Sequence, residues 1–335
     1  KNTWGTFTAT ELAGLSIDKQ NRKLIFDVSV IQSQVSLGDG GTYFQRFLGV
    51  MYGELASLEK DRWYYEITNI ERPIFNVVKG GLISGLSFNL GSSSTEKGSI
   101  GSAVLANTIS GRADLNNLQF SNIKLNAATK EGKSAAAGII ASTMEDVMSI
   151  SNITIENCEI EIKEIGDTLY IGAIAGKNNT TSISYVKINN VIVNGLTITA
   201  NDKISGELNV GGMFGETSEK YDFKNSRVID SSLNVGLAKR DGKENFEADQ
   251  EISVGGFVGK AQGNSTVHKF DNNNTNLTEV TITIDEAATT YAGLLFGSVG
   301  TLITNHGDNP SFQGTIQNAV DNETKKPTTL VIGGA

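Results

Sequence analysis

The sequence is poor in proline and cysteine and has no long apolar run, and each shortage excludes a class of protein. Proline accounts for only 3 of 335 residues, which excludes a proline-rich linker and a collagen-like chain. A single cysteine can form no internal disulfide, so the chain is not a small disulfide-stabilised scaffold. No stretch of 18 apolar residues occurs, and we therefore expect no insertion into a membrane.

Positive charge is also limited. The chain has 28 basic and 37 acidic residues, a formal net charge of −9, and its basic residues form no dense cluster. A nucleic-acid partner is not expected, because binding to a phosphate backbone requires clustered Lys and Arg. With 39% hydrophobic residues, the chain can bury a core, so wholesale disorder is excluded.

Glycine, by contrast, is abundant, and many of the 37 glycines lie in a five-residue box that recurs along the chain. The second residue of each box is Ala or Gly, and the third is Val, Ile, Met, Phe or Leu. The boxes begin 35 to 44 residues apart, a regularity that predicts a stack of structural repeats. Six copies begin at Ser102, Ala137, Gly172, Gly211, Gly255 and Ala292, and a seventh opens near the end of the chain at Gly333.

A second motif precedes each box and combines an apolar residue, short polar residues and the apolar–polar alternation of a β-strand. Its copies begin at Ile83, Phe120, Ile155, Val193, Ile229 and Leu277. Aligning the copies places Cys158 in one column with Leu86, Ile123, Leu196 and Val280. The column predicts that Cys158 is a small core residue and not a nucleophile.

The alternation that follows Cys158 puts Glu159 and Glu161 on one face of a strand and Ile160 and Ile162 on the other. Paired carboxylates raise the hypothesis of acid–base chemistry. The structural interpretation is stronger, because outward glutamates are typical of the solvated face of a solenoid strand and discourage edge-to-edge pairing.

Short β-segments in register, with Asn, Ser, Thr and Gly at the corners, predict an all-β fold. We predict a parallel β-helix of about six to seven coils, because small box residues allow stacked backbones to approach closely at a corner. A β-propeller of the kelch type is the alternative, since a Gly-Gly doublet also occurs there. The later Tyr and Trp of that repeat are missing, because Trp4 and Trp63 both precede the boxes.

The boxes divide the chain into two regions. Residues 1–72 lack the box and are predicted to form an N-terminal cap and the first coil, whereas residues 73–335 carry the repeats. A cap covers core and backbone that the first coil would otherwise expose. Because the sequence stops within a seventh box, we expect a monomeric fragment of a longer chain whose repeats continue past Ala335.

Two elements are predicted within the cap. Thr8 and Glu11 fit a capping box that would open a short helix over Leu12 and Leu15. Residues 24–30 are predicted to form a strand, because they are dominated by apolar and β-branched residues.

One substantial insertion, residues 236–251, separates the fifth second-motif copy from its box. The segment is highly charged and has no apolar pattern, so it is predicted to protrude as a solvated loop. We expect any local binding feature to lie here, at Lys239, Arg240, Asp241, Lys243, Glu244 and Phe246.

No catalytic, cofactor-binding or metal-ligating set is predicted. His268 and His306 stand alone, and no H-E-x-x-H motif occurs. The alternative is a carbohydrate-active β-helix enzyme, a polysaccharide lyase or glycosidase, which needs paired carboxylates or acidic calcium ligands with a basic residue. Its candidate groups are Asp222, Arg227 and Asp230 in one coil and Arg112 with Asp114 in another.

The boxes at Gly211, Gly255 and Ala292 resemble the glycine–hydrophobic–hydrophobic–glycine repeat called the GLUG motif. This motif occurs in bacterial surface proteins and in the N-terminal regions of the IgA-cleaving zinc metallopeptidases of streptococci. The region before the first box is similar to those families as well, in Glu11-Leu12-Ala13, residues 24–30, Phe47-x-Gly49-x-x-x-Gly53 and Pro73-Ile74-Phe75. Nothing in the chain resembles the peptidase domain.

The resemblance implies an extracellular or surface-anchored bacterial protein. Together with the repeats, it leads us to expect a non-catalytic β-solenoid that serves as an adhesin, a binding surface or a spacer. A host glycan or an extracellular protein is the expected partner, and no cofactor is expected.

Overall fold

The computed structural model describes most of the chain from residue 73 to residue 299. It covers Ile70 and residues 73–79, 82–91, 97–128, 133–164, 167–179, 186–200, 206–218, 221–235, 251–262, 277–284 and 289–299. Strands at 15–18, 23–27, 64–68, 268–271, 303–306, 311–318 and 329–333 complete the described residues.

The described residues form β-strands throughout, and none of them is helical. In chain order the strands are β1 (Leu15–Asp18), β2 (Lys23–Asp27), β3 (Tyr64–Thr68), β4 (Phe75–Lys79), β5 (Leu82–Asn89), β6 (Gly98–Ile100), β7 (Ala106–Ser110), β8 (Asp114–Ser121), β9 (Ile123–Ala128), β10 (Ser134–Gly138), β11 (Ala141–Glu145), β12 (Ser149–Glu156), β13 (Glu159–Glu164), β14 (Thr168–Gly172), β15 (Ala175–Asn179), β16 (Val186–Asn194), β17 (Thr197–Ala200), β18 (Glu207–Gly211), β19 (Phe214–Thr217), β20 (Tyr221–Lys224), β21 (Arg227–Val235), β22 (Glu251–Gly255), β23 (Val258–Ala261), β24 (His268–Asp271), β25 (Leu277–Ile284), β26 (Thr289–Gly293), β27 (Phe296–Val299), β28 (Ile303–His306), β29 (Ser311–Asn318) and β30 (Thr329–Gly333).

Three sheets run along the stack. A large sheet contains 17 strands. A leading sheet contains the six strands that run into the boxes. A trailing sheet contains seven strands, of which the first is β4 and the other six begin within a box. The leading strands are β10, β14, β18, β22, β26 and β30, and the trailing strands are β4, β7, β11, β15, β19, β23 and β27.

One turn runs through all three sheets before the chain reaches the next turn. It passes along β12 and β13 in the large sheet, then β14 and β15, and enters the large sheet again at β16. Each strand pairs in parallel with its equivalent one turn away, as Ile153 does with Leu118 on one side and Val191 on the other. The prediction of a parallel β-helix is confirmed, and the propeller is excluded because a blade would pair its strands within one repeat.

About four turns, from Asp114 to Ala261, are complete in all three sheets with most of their side chains described. The predicted count of six to seven coils is therefore higher than the number of complete turns. The first turns differ from the repeat, because β5 to β7 have no leading strand between them among the described residues.

The N-terminal edge of the large sheet is a hairpin and not a helix at Leu15. Strand β1 pairs antiparallel with β2, with Leu15 opposite Phe26, and β2 then pairs in parallel with β3. The predicted helix over Leu15 is therefore wrong, because the alternation of Leu15 and Ile17 suits a strand. The predicted strand is confirmed as far as Asp27, whereas Thr8, Glu11, Leu12 and residues 28–30 lie outside the described residues.

The core is one continuous cluster of buried apolar side chains from Ile70 to Phe296. Inward residues of successive turns stack in columns, as shown by Phe88 and Phe120, whose ring centroids lie 4.8 Å apart. Burying a Leu, Ile or Phe side chain contributes about 1.5–3 kcal/mol. The columns therefore stabilise each turn mainly through its two neighbours.

The predicted boxes at Ser102, Ala137 and Ala292 begin one residue later than the sequence alignment places them. In two of these copies, an Ala directly precedes the Gly that opens the box in the structure. The sequence alignment accepted either Ala or Gly and therefore took the Ala as the first residue. Hydrogen-bonded register instead puts the last residues of the leading strands in one column, Gly138, Gly172, Gly211, Gly255, Gly293 and Gly333.

Several boxes have two glycines four residues apart, and both lie where the backbones of the leading and trailing sheets touch. Gly172 is the first such glycine of one box, and Gly215 is the second of the next box. A Cβ atom at Gly172 would lie 2.5 Å from the carbonyl oxygen of Ala175. A Cβ atom at Gly215 would lie 2.3 Å from the amide nitrogen of Ile171 and 2.6 Å from the carbonyl oxygen of Gly176. Gly172 and Gly215 therefore have no space for a side chain, which confirms the predicted close approach at a corner, whereas the residue equivalent to Gly176 in the preceding turn is Ser142.

Substituting Gly215 by Ala is expected to destabilise the protein at or above the upper end of the about 1–3 kcal/mol typical of overpacking, because rigid backbone surrounds the new methyl group. Urea denaturation followed by circular dichroism measures the change. Gly101→Ala is the matched control, since a Cβ atom at Gly101 would have nothing within 4 Å. Equal stability of the two variants would contradict the backbone contact.

Asparagine marks two columns of left-handed residues in the large sheet. Asn117, Asn152, Asn190 and Asn225 have φ between 51° and 55°, a conformation that Asn adopts more readily than most residues. The side chains also bond from turn to turn, because Asn190 Nδ2 donates to Asn152 Oδ1 at 2.9 Å. The second column contains Asn122, Asn157, Gly195 and Asp230.

Replacing Asn152 by Ala is expected to cost about 1–2 kcal/mol, because Ala is strained in the left-handed region and cannot extend the amide ladder. Asn152→Gly keeps the backbone conformation and loses only the ladder. Denaturation should therefore rank the stabilities as wild type, then Gly, then Ala. An Ala variant as stable as the Gly variant would show that the left-handed conformation imposes no requirement.

Candidate functional site

The predicted binding loop lies outside the described residues. All six of its named residues fall between Val235, which ends β21, and Glu251, which begins β22. The chain therefore leaves the large sheet at Val235 and re-enters the stack in the leading sheet. The expectation that this insertion binds a partner stays a prediction.

The candidate catalytic groups of the alternative enzyme do not converge. Asp222, Arg227 and Asp230 lie along β20 and β21 of the large sheet. Strands rise about 3.3 Å per residue, so an offset of eight positions separates the two aspartates by far more than the roughly 5–9.5 Å of a glycosidase pair. In the other coil, Asp114 accepts a hydrogen bond of 2.6 Å from Ser149 Oγ, while Arg112 is exposed at a left-handed corner.

The two histidines lie on neighbouring strands but not opposite each other. His306 pairs with Asp271, and His268 pairs with Ile303. Among the residues that the structure describes, no group of three or more His, Cys, Asp or Glu side chains could hold a metal ion. The described part of the chain also contains no helix long and apolar enough to span a membrane.

Cys158 is a core residue, as the sequence predicts. Its column contains Ile123, Leu196 and Val280, but Leu86 belongs to the neighbouring column of Leu118. The thiol is fully buried, and this burial raises its pKa to about 12. A reactive cysteine needs a lowered pKa and access to solvent, so Cys158 carries no chemistry here.

Glu159 and Glu161 lie on the outer face, and Ile160 and Ile162 are buried, as predicted. Lys124, one turn earlier, bonds both carboxylates, at 2.8 Å to Glu159 and 3.0 Å to Glu161. Partial burial acts to raise the pKa of Glu159, but the hydrogen bonds and positive charges of Lys124 and Lys97 together outweigh it and lower the pKa. The Glu159 carboxylate is therefore stabilised in its ionised form, which does not suit a proton donor.

A cluster that sequence reasoning missed lies where the leading and trailing sheets meet. Within each box the chain bends from a leading strand into a trailing strand. The bend places the first residues of the trailing strand against one side of a leading strand, the side opposite the buried Leu169 and Ile171. We call the polar side chains at this contact the polar seam. It comprises Tyr170, Lys177, Glu207, Asn209, Glu216, Glu251, Lys260 and Gln262.

Glu216 is the most buried charge of the seam, with 1% of its surface exposed. Lys177 Nζ lies 3.2 Å from Glu216 Oε1 and 4.6 Å from the ring centroid of Tyr170. Gln262 donates a hydrogen bond of 2.7 Å to the other carboxylate oxygen. Both oxygens of Glu216 are thus bonded by groups from adjacent strands of the trailing sheet.

One turn further, Lys260 joins two glutamates of the leading sheet. Its Nζ bonds Glu207, and it lies 2.9 Å from Oε1 of Glu251. Asn209 Nδ2 donates to the same Glu207 oxygen at 3.0 Å. Positive and negative charge thus alternate across neighbouring trailing strands at Lys177, Glu216 and Lys260. Through Lys260, this network of opposite charges continues into the leading sheet.

The pKa shifts of the seam favour a structural role. Burial acts to lower the pKa of Lys177, but the charge and hydrogen bond of Glu216, together with smaller effects of Tyr170, outweigh it and raise the pKa. The hydrogen bonds that Lys260 donates to Glu207 and Glu251, together with the charges of these carboxylates, likewise raise the pKa of Lys260 against the effect of burial. A lysine or tyrosine that acts as a base needs a lowered pKa, and burial raises that of Tyr170.

Glu216 differs, because burial raises its pKa towards the neutral form despite Lys177. A carboxyl group of this kind could donate a proton, but its burial keeps it from any substrate. One sequence signal could have found the seam, since the residue after the second glycine of three successive boxes is charged, at Lys177, Glu216 and Lys260.

Comparison with models of known protein families finds no match to this chain. Comparison with curated proteins finds no match either. The resemblance of the boxes to GLUG repeats therefore stays a prediction, and so does the relation to the N-terminal regions of IgA-cleaving peptidases.

Glu216→Gln is expected to gain stability relative to the wild type as the pH rises from about 4 to about 7. The raised pKa means that the folded state stabilises protonated Glu216, a contribution present at low pH and lost as the pH rises through the folded-state pKa. Urea denaturation at several pH values measures the difference.

Glu159→Gln is the matched control, because the pKa of Glu159 is shifted in the opposite direction. Its wild-type contribution appears as the pH rises, so this variant should lose stability relative to the wild type over the acidic range. Slopes of the same sign for the two variants would contradict the assigned environments.

Proposed function

We propose that the chain is a rigid, non-catalytic β-solenoid that serves as a binding surface or spacer of an extracellular bacterial protein. The observation that carries this proposal is the uninterrupted stack, in which core columns and parallel ladders continue from turn to turn. Seven trailing strands spaced by about 4.8 Å extend for about 29 Å along the stack.

Stiffness follows from how the turns are joined. Each turn contributes strands to three sheets and bonds to both neighbours in every one of them. Bending the stack would break ladder bonds and open the core columns together. Such a body suits a spacer that holds a partner at a fixed distance, or a long regular surface that contacts one.

The electrostatics of the described residues support a non-catalytic role. Lys177, Lys260 and Glu159 are each stabilised in their charged form by opposite charges. A general acid or base works best with a pKa near the operating pH and with access to a substrate. The extracellular location is supported by the resemblance of the boxes to GLUG repeats, and the adhesin role follows from that resemblance.

The test is incubation of the chain with pectins, glycosaminoglycans and plant polysaccharides, with reducing ends and unsaturated products measured over time. No product release is expected. Release that is lost in Asp222→Asn or Asp114→Asn would instead identify a lyase or glycosidase. Small-angle X-ray scattering on the same sample checks the rod, and a compact sphere would contradict the spacer.

A further inference from the structure

The middle of the outer face of β5, β8, β12 and β16 in the large sheet is built mainly from uncharged hydrogen-bonding side chains. Ser84, Asn116, Ser151 and Asn189 occupy one column of neighbouring turns. A second column contains Ser87, Gln119 and Thr154 and ends on β16 at the apolar Ile192. We call these two columns and the asparagine ladder between them the neutral face.

Neutrality is not a general property of this sheet. The same sheet carries Lys124, Glu159 and Glu161 on β9 and β13, and charged residues flank the neutral face at Asp114 and Glu156. The whole chain has a net charge of −9. Charge therefore lies beside the face, and the two columns carry none from β5 to β16, after which they continue to Lys224 on β20 and Arg227 on β21.

The backbone does not explain this composition. Left-handed φ accounts for Asn117, Asn152 and Asn190, and the ladder accounts for Asn116, but neither accounts for Ser151 or Thr154. At partly exposed positions of ordinary strand geometry, charges of alternating sign are accommodated, as Lys124 and Glu159 show on the same sheet. The selection of amides and hydroxyls points to a requirement other than folding.

The ladder fixes the orientation of the amides. Asn152 Nδ2 donates to Asn116 Oδ1 at 2.9 Å, and Asn152 Oδ1 accepts from Asn190 Nδ2 at 2.9 Å. A carboxamide has two N–H donors and two lone pairs, so the ladder uses one donor and one acceptor of Asn152. A ligand that bonds the others would find them already oriented, which lowers the entropic cost of binding.

We infer that the neutral face binds a neutral polysaccharide chain, an inference that rests on the proposed function of the solenoid as a binding surface. Sugar hydroxyls both donate and accept hydrogen bonds, as do the amides and hydroxyls of the face. The absence of charge from its columns disfavours anionic glycans and nucleic acids, which require cations. Similar groups recur about every 4.8 Å, which suits a ligand that is itself a repeating chain.

The test is binding of the chain to soluble neutral glucan, mannan and dextran, with heparin and hyaluronan as anionic comparisons. We expect binding to at least one neutral polysaccharide. Its affinity should change less than about twofold between about 0.05 M and about 0.5 M salt, because an uncharged ligand offers no charge to screen.

The double variant Ser151→Lys/Thr154→Lys places two charges on the neutral face and should weaken this binding at least about tenfold, the equivalent of about 1.4 kcal/mol. Thr197→Lys/Thr199→Lys is the matched control, since both threonines are partly exposed on the same face of β17, opposite Glu159 and Glu161. The control should bind within about twofold of the wild type. Thermal unfolding verifies that both variants are folded.

Failure to bind any neutral polysaccharide, or equal binding by the wild type and the Ser151→Lys/Thr154→Lys variant, would overturn the inference. Binding confined to heparin, hyaluronan or a protein would also overturn it, yet would leave the solenoid as a binding surface. Product release from a polysaccharide is a separate outcome, because it would overturn the proposed non-catalytic function itself.

Discussion

The fold depends on one steric constraint, the direct contact between backbones of the leading and trailing sheets at each box. Gly172 and Gly215 lie in that contact, with no room for a side chain. Because the sheets meet there, the bend can be sharp and the large apolar residues between the glycines can enter the core. The same bend brings charged residues of the trailing strands against the leading strands, where they form the polar seam.

The sequence is sufficient to predict the fold class and the faces of individual strands. Box spacing predicts the stack, and the alternation after Cys158 correctly separates Glu159 from Ile160. Register is harder to predict, because Ala and Gly are interchangeable in a pattern but not in a backbone contact. That ambiguity explains the one-residue error at Ala137.

The polar seam could not be predicted in the same way. Lys177 and Glu216 are far apart in sequence, and each resembles an ordinary solvated charge at the end of a strand. They pair as register partners on β15 and β19 of the trailing sheet, whereas the contacts of Lys260 with Glu207 and Glu251 depend on the bend that joins the two sheets. The charges that follow the boxes mark the positions in the sequence but do not show these partners. At the cap, Leu15 shows the converse problem, because a local signature predicted a helix over a residue that lies in a strand paired with β2.

Each box is completed by backbone from the preceding turn, since Gly215 of β19 lies against Ile171 of β14 and Gly259 of β23 lies against Val210 of β18. The self-contained unit of the stack therefore ends after a trailing strand and not at a box. Shortening or lengthening such a protein by whole turns would preserve every contact only if the junctions fall between a trailing strand and the large sheet. Recombination among repeats would be constrained in the same way.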